Sequence, residues 1–218
     1  PLLTIMNKLH IPPLDEQAAK TALEHQKILA KPPLALGKLE PVAIQIAAMT
    51  GNPAPRLKDK AVVLFAADHH IADHGLSLTS TDVTYIQTRN FLQGGGTINA
   101  FTRNAGARLS VVDVGVNYDF GDLPGLVKRK VMHGANDFSR GPAMTREQAL
   151  ECLQVGIDMA REEKARGLDI VAAGEMGIGN TTPSSAIVAV LTGTPVETVT
   201  GRGSGVKGEV IRKKIELI

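Results

Sequence analysis

Cysteine is nearly absent from this chain: of 218 residues only Cys152 carries a thiol, so no internal disulfide framework holds the fold. Cys152 lies in the apolar helical pattern EQALECLQVGIDMA, where a packed thiol rather than a nucleophile is expected. No apolar run approaches the roughly eighteen residues of a membrane-crossing helix, and no stretch has the layout of a secretory signal. A soluble cytoplasmic protein with no membrane partner is therefore expected. An excess of one charge is also missing, since 24 Lys and Arg stand against 22 Asp and Glu for a net charge of +2. The basic residues are scattered, the densest cluster being VKRKV near Lys128, which is expected to be solvated loop charge; no nucleic-acid groove is indicated. Repeats and low-complexity tracts are absent.

What remains is enough chain for one α/β domain with a real core and a small subdomain formed from the chain ends. Three short apolar runs, 61–68 (AVVLFAAD), 108–115 (RLSVVDVG) and 168–175 (LDIVAAGE), are rich in β-branched residues, as central parallel strands require. Between them the spacing predicts helices over Asp82 to Leu92, Thr97 to Ala105 and Thr145 to Arg166, the last opened by Thr145 and Gln148 as a capping box. Strand and helix alternate, which predicts an α/β fold with a mostly parallel sheet flanked by helices. The first part differs, with helices near Asp15 to Leu29 and Lys38 to Met49, and GNPAPRLKDK links it to the sheet. Residues 1–58 are thus expected to form a helical segment and 59–218 the α/β domain. The chain stops on EVIRKKIELI without a helix-closing residue, so further chain is expected beyond Ile218.

The strand ends carry the chemistry. Each apolar run ends in or near an acid, Asp68, Asp113 and Glu175, and ligands of open parallel sheets bind at the carboxyl ends of strands, so the three acids are expected at one cleft. Three glycine-rich loops, QGGGTIN (93–99), GEMGIGNTTPSS (174–185) and TGRGSG (200–205), lead into helical patterns. Glycine lets backbone N–H groups approach an anion, and a helix N-terminus adds partial positive charge, so a phosphate-bearing ligand is expected. None of the loops has the GK[ST] ending of a Walker motif. The stretch DHHIADH, Asp68 to His74, invites a metal reading, because Asp-His-His after a strand is similar to the DHH metallophosphoesterases. That family needs paired aspartates on earlier strands, which are absent here, so no metal is expected and His70 and His74 read as hydrogen-bonded loop residues.

FAADHH, NFLQGGGTIN, VVDVGV, GPAMTREQA, GEMGIGNTT and TGRGSG together resemble the nicotinate-nucleotide–dimethylbenzimidazole phosphoribosyltransferases, from KPPLALG to the end of the chain. The resemblance implies a Rossmann-like sheet with a small subdomain from the two chain ends, and transfer of the phosphoribosyl group of nicotinate mononucleotide to a benzimidazole nitrogen for cobamide synthesis, with inversion at C1′, no metal or other cofactor, and a homodimer. It implies Glu175 and Asp68 as the acids near the reacting sugar. It also implies substrate contacts from Ser77, Gln87, Asn99, Asp113 and Met176, from the backbone of Gly177, Ile178, Gly179 and Asn180 and of Gly203, Ser204 and Gly205, and from Lys214. Gly177 is expected to be required for space and for any positive-φ geometry.

Departures from the family pattern bear on the acceptor. Pro32-Pro33-Leu34-Ala35-Leu36-Gly37 stands where the family has Pro-Pro-Gly-Ser-Leu-Gly, and Ser80 and Ile86 stand where it has proline and glutamine, with Gln87 one place later. An acceptor other than dimethylbenzimidazole, such as adenine, a simpler benzimidazole or a phenol, is compatible with these changes. The family's general base lies beyond the position of Ile218, which leaves two expectations: an enzyme whose base lies outside these residues, or a non-catalytic nucleotide-binding subunit.

Overall fold

The computed structural model describes residues 10–218; residues 1–9 of the expected helical segment lie outside that description. The chain divides into two compact units between Lys58 and Asp59.

In the first unit, Asp15 caps α1 (Glu16–Ile28) by accepting from Ala18 N–H at 2.8 Å, as a carboxylate at the N-cap does. Helix α2 (Leu39–Thr50) ends at Gly51 in the left-handed conformation. Buried Glu40 fixes the intervening turn, pairing with Lys31 at 2.6 Å and accepting from Leu36 N–H at 3.2 Å. Leu34 has φ +60, the one non-glycine residue in that region among the described residues, and it occupies the position where the resembling family has glycine. Left-handed geometry costs an L-residue roughly 1–2 kcal/mol, part of which glycine loses again in unfolded-state entropy. Leu34 is 76% exposed and contributes little packing. Leu34→Gly is therefore expected to raise stability by about 0.5–1 kcal/mol in urea titration.

In the second unit β1 (Lys60–Ala67), β2 (Ala107–Gly115), β3 (Leu126–Lys128) and β4 (Ile170–Met176) form a parallel sheet in the order β3-β2-β1-β4. Helices α3 (Val83–Leu92) and α4 (Thr97–Ala105) cover one face, where Leu64, Val111 and Phe120 pack with Tyr85, Phe91 and Ile98. Helix α5 (Arg146–Ala165), opened by the expected Thr145–Gln148 capping box, covers the other through Val63, Val112, Val155 and Met159. Fully buried Glu163 anchors α5, bonding Ser110 Oγ at 2.7 Å and pairing with Arg108 and Arg166 at 3.1 Å each. The chain continues through α6 (Thr181–Thr192), the short α7 (Val196–Val199) and α8 (Glu209–Leu217). The α/β class with a parallel sheet is as the sequence predicts.

Two readings need correction. The VKRKV cluster is not merely solvated: it begins in β3, and Lys130 turns inward to pair with buried Asp113 at 3.0 Å. The run over β4 has the composition of a strand covered on both faces, yet β4 is an edge strand in the described sheet, with Ile170 and Val171 more than 40% exposed.

Candidate active site

Parallel pairing brings the ends of β1 and β4 side by side, with Phe65 opposite Glu175 and Ala66 opposite Met176. Past β1 the backbone of Asp68 is clamped, its N–H donating to Gly115 O at 3.0 Å and its carbonyl accepting from Ala135 N–H at 2.9 Å. Asp68 Oδ2 accepts from Asn117 N–H at 2.8 Å, while Oδ1 is buried with no hydrogen-bond partner among the described residues. The next side chain, His69, places Nε2 3.6 Å from Glu175 Oε1; Glu175 Oε2 accepts from Asn180 Nδ2. A β-carbon on Gly177 would stand 2.3 Å from Ala67 O and 2.9 Å from both His69 Nε2 and Glu175 Oε1. Glycine here is a matter of space. The positive φ expected of this loop belongs to Gly179, at +81, and not to Gly177.

Beside Thr181, which follows Asn180, lies a buried cation brought there from the far end of the chain. Lys214 on α8 is 1% exposed, and its Nζ donates to Thr181 Oγ1 at 2.7 Å and Gly201 O at 3.2 Å. No carboxylate among the described residues pairs with it, and burial pushes its pKa below the ordinary lysine range. Gly203, at φ +52, passes so close that a β-carbon would lie 2.9 Å from Thr181 Oγ1 and 3.5 Å from Lys214 Nζ. Thr182, in the first turn of α6, is fully buried with Oγ1 unpartnered among the described residues. The N-terminal turn of α6 adds its own partial positive charge. Ser77 Oγ and Ser204 Oγ, 3.5 Å apart, join the loop after β1 to the TGRGSG loop. An uncompensated ammonium, a helix N-terminus and close-packed glycines make a receptor for an anion.

Two hollows flank Asp68. One, of about 610 Å³, is walled by apolar side chains such as Val114, Phe138, Met144, Ile187 and Leu191. Cys152 lies in its wall, its thiol pushed up by burial, as expected of a packed thiol. The other, of about 130 Å³, is polar and bounded by Asp68, His70, Asp73, Asp82, Tyr85 and Asn117. The three histidines diverge: His70 bonds Asp73 at 3.1 Å and His133 O at 3.2 Å, and His74 bonds Asp137 at 2.8 Å.

A family model described as "Phosphoribosyltransferase" matches residues 11–218. The chain belongs to this phosphoribosyltransferase family. It is 48% identical over 206 residues to the nicotinate-nucleotide–dimethylbenzimidazole phosphoribosyltransferase of Geobacter sulfurreducens, covering 94% of this chain and 58% of the relative. To the protein of that name from Chloroflexus aggregans it is 47% identical over 209 residues, covering 96% and 59%. The crystal structure of CobT from Thermus thermophilus superposes with a TM-score of 0.89 at 44% identity, covering 92% of this chain and 60% of that one. The chain thus spans about three fifths of the length of these phosphoribosyltransferases. The metallophosphoesterase alternative finds no support in these likenesses.

Within this member of the family the structure gathers Asp68, Glu175, Gly177 and Asn180 at the strand ends, and Ser77, Ser204, Gly203 and Lys214 at the cationic corner. Other expected contacts are committed elsewhere. Asn99 closes the first turn of α4, its Oδ1 accepting from Gly96 N–H and its Nδ2 donating to Phe91 O. The QGGG glycines serve the turn itself, since β-carbons on Gly95 and Gly96 would strike Asn90 and Phe91. Asp113 lines neither hollow beside Asp68, contrary to the expected meeting of three acids; it lines a separate one with Lys130 and accepts from Val116 N–H at 2.9 Å. Gln87 Oε1 accepts from Asn90 Nδ2, and Met176 packs into the core. The N–H groups of Ile178, Asn180 and Gly205 donate to Thr84 Oγ1, Gly177 O and Arg202 O, which leaves these amides less capacity for an anion than the Lys214 ammonium has. The sequence reading did not foresee His69 beside Glu175, nor Thr181 and Thr182 at the Lys214 corner. The paired threonines that follow GIGN, at a helix start, were the available signal.

Proposed function

We propose that this chain carries the phosphoribosyl-binding part of an enzyme that transfers the phosphoribosyl group of nicotinate mononucleotide to a benzimidazole-type base, releasing nicotinate and forming an α-riboside 5′-phosphate. The carrying observation is Lys214, a fully buried ammonium without a carboxylate partner among the described residues, set against the first turn of α6. A buried charge needs compensation, and the 5′-phosphate supplies it with three acceptor oxygens. With the phosphate there, the ribose extends toward the ends of β1 and β4, where Glu175 and Asp68 supply negative charge. As nicotinate leaves, C1′ gains positive character, and fixed carboxylates stabilise that charge more than they stabilise the ground state. The attacking azole must lose its N–H proton to a carboxylate base, which this reading places outside these residues. Exposed Leu78 and Ile86, near the Ser77–Ser204 contact in sequence, offer apolar surface to a flat aromatic acceptor. A cytoplasmic homodimer completes the proposal, on the resemblance to the family.

Calorimetry with nicotinate mononucleotide tests the binding half: saturable one-to-one binding, competed by inorganic phosphate, is expected, and no binding overturns the reading. Single-turnover assays with nicotinate mononucleotide and dimethylbenzimidazole test the catalytic half. The 218-residue chain is expected to react on the order of 10²–10⁴ times more slowly than the gene product extended to its natural stop codon. Equal rates would place the base within these residues and make Glu175 and Asp68 the first to mutate.

A further inference from the structure

We propose that His69 is a positioning residue for Glu175, donating a hydrogen bond from Nε2–H to Oε1 when nucleotide is bound. The proposal rests on the reading of Glu175 as the carboxylate that faces the ribose. His69 Nε2 is buried with no hydrogen-bond partner among the described residues, an arrangement that calls for a physical explanation. The acid beside it is Glu175, whose Oε1 lies at 3.6 Å, just outside the ~2.7–3.2 Å of a hydrogen bond.

Each partner of the pair has a reason to need the other. The Glu175 side chain is 47% exposed and, among the described residues, is hydrogen-bonded at one oxygen, where Asn180 Nδ2 bonds Oε2. A carboxylate tethered at one oxygen pivots about that bond, whereas charge stabilisation at C1′ requires it fixed to within roughly half an ångström. His69 is fixed at its backbone: it bridges to Ala135, and its carbonyl accepts from Ala72 N–H at 2.9 Å. A donor on such a support constrains Oε1 while Asn180 constrains Oε2. Gly177 keeps the space between the two side chains open, since a β-carbon there would sit 2.9 Å from each of the facing atoms. A neutral imidazole protonated at Nε2 meets the requirement without adding a cation beside the developing charge at C1′.

The test uses the full-length gene product with His69→Phe, which keeps an aromatic ring without a donor, and His69→Gln, which restores a neutral N–H donor. Loss of a hydrogen bond to a charged group predicts a fall in kcat of roughly tenfold or more for His69→Phe with KM for nicotinate mononucleotide little changed, and recovery of most of that loss in His69→Gln. Unchanged kcat in His69→Phe, or equal losses in the two variants, overturns the proposal. In the unsubstituted protein, ¹⁵N NMR of labelled histidine with bound nucleotide is expected to show Nε2 of His69 protonated; a proton on Nδ1 alone overturns it without recourse to a variant. If the unsubstituted protein fails to bind nicotinate mononucleotide in calorimetry, the reading of the site fails first. If it binds and turns over but the His69 arms fail, only the present proposal falls.

Discussion

Gly177→Val is expected to weaken the binding of nicotinate mononucleotide in calorimetry and to lower turnover by about 100-fold, while leaving the far-UV circular dichroism of a folded α/β protein. The obstacle is steric, not conformational. A β-carbon at this position would sit 2.3 Å from the carbonyl oxygen of Ala67, a backbone atom at the end of β1 that cannot rotate away. Either β1 or the loop after β4 must shift by about an ångström, and displacements of that size cost on the order of 10² when they misplace reacting groups. The same β-carbon enters the gap between His69 and Glu175. Overpacking of this kind costs stability as well, about 1–3 kcal/mol. Gly156→Ala provides the contrast: it lies within α5 with nothing inside 4 Å of its β-carbon, so it is expected to gain up to about 1 kcal/mol of helix propensity without altering binding. A folded Gly177→Val protein that binds as tightly as the parent would remove this loop from the site.

The contrast between these two glycines shows what sequence conveys and what it withholds. Periodicity located β1, β2, β4 and helices α3 to α5, because burial on a pleated or helical surface imposes a repeat on the residues themselves. β3 has only three residues, Leu126–Lys128, too few for a repeat to emerge. Glycine-rich loops were visible as loops, yet composition cannot say whether a glycine makes room for a ligand or for its own neighbours. In QGGG the space is filled by Asn90 and Phe91; at Gly177 in GEMGIG it is bounded by Ala67 O, Glu175 Oε1 and His69 Nε2. Acids at strand ends were equally visible, but the partner that neutralises each was not. Asp113 meets Lys130, 17 positions on in sequence, across a turn that no short-range pattern encodes, whereas Asp68 keeps an unpartnered oxygen. His69 was conspicuous as a residue type but became a site residue only when the β1–β4 register set it beside Glu175.

Lys214→Met separates function from stability in opposite directions. Methionine nearly matches the length of the lysine side chain and removes a charge that the fold buries against two neutral oxygens, Thr181 Oγ1 and Gly201 O. The unliganded protein is therefore expected to keep or raise its unfolding midpoint, since a buried unpaired cation opposes folding. Affinity for nicotinate mononucleotide is expected to fall by roughly 10–150-fold, the equivalent of the ~1.5–3 kcal/mol of a hydrogen bond to a charged group. The pH dependence follows from the depressed pKa of Lys214. Between its folded-state pKa and its higher unfolded-state value, the unfolded chain binds the extra proton, so stability of the unliganded protein rises with pH across that window. The nucleotide phosphate needs the ammonium, so affinity falls as pH rises through the folded-state pKa. Lys214→Met should abolish this Lys214-dependent part of both slopes. Measurement of unfolding midpoints and calorimetric affinities for the two proteins from neutral to alkaline pH decides the matter. A variant that loses stability but retains affinity would mean that Lys214 serves only the packing of α8, and that the phosphate binds elsewhere.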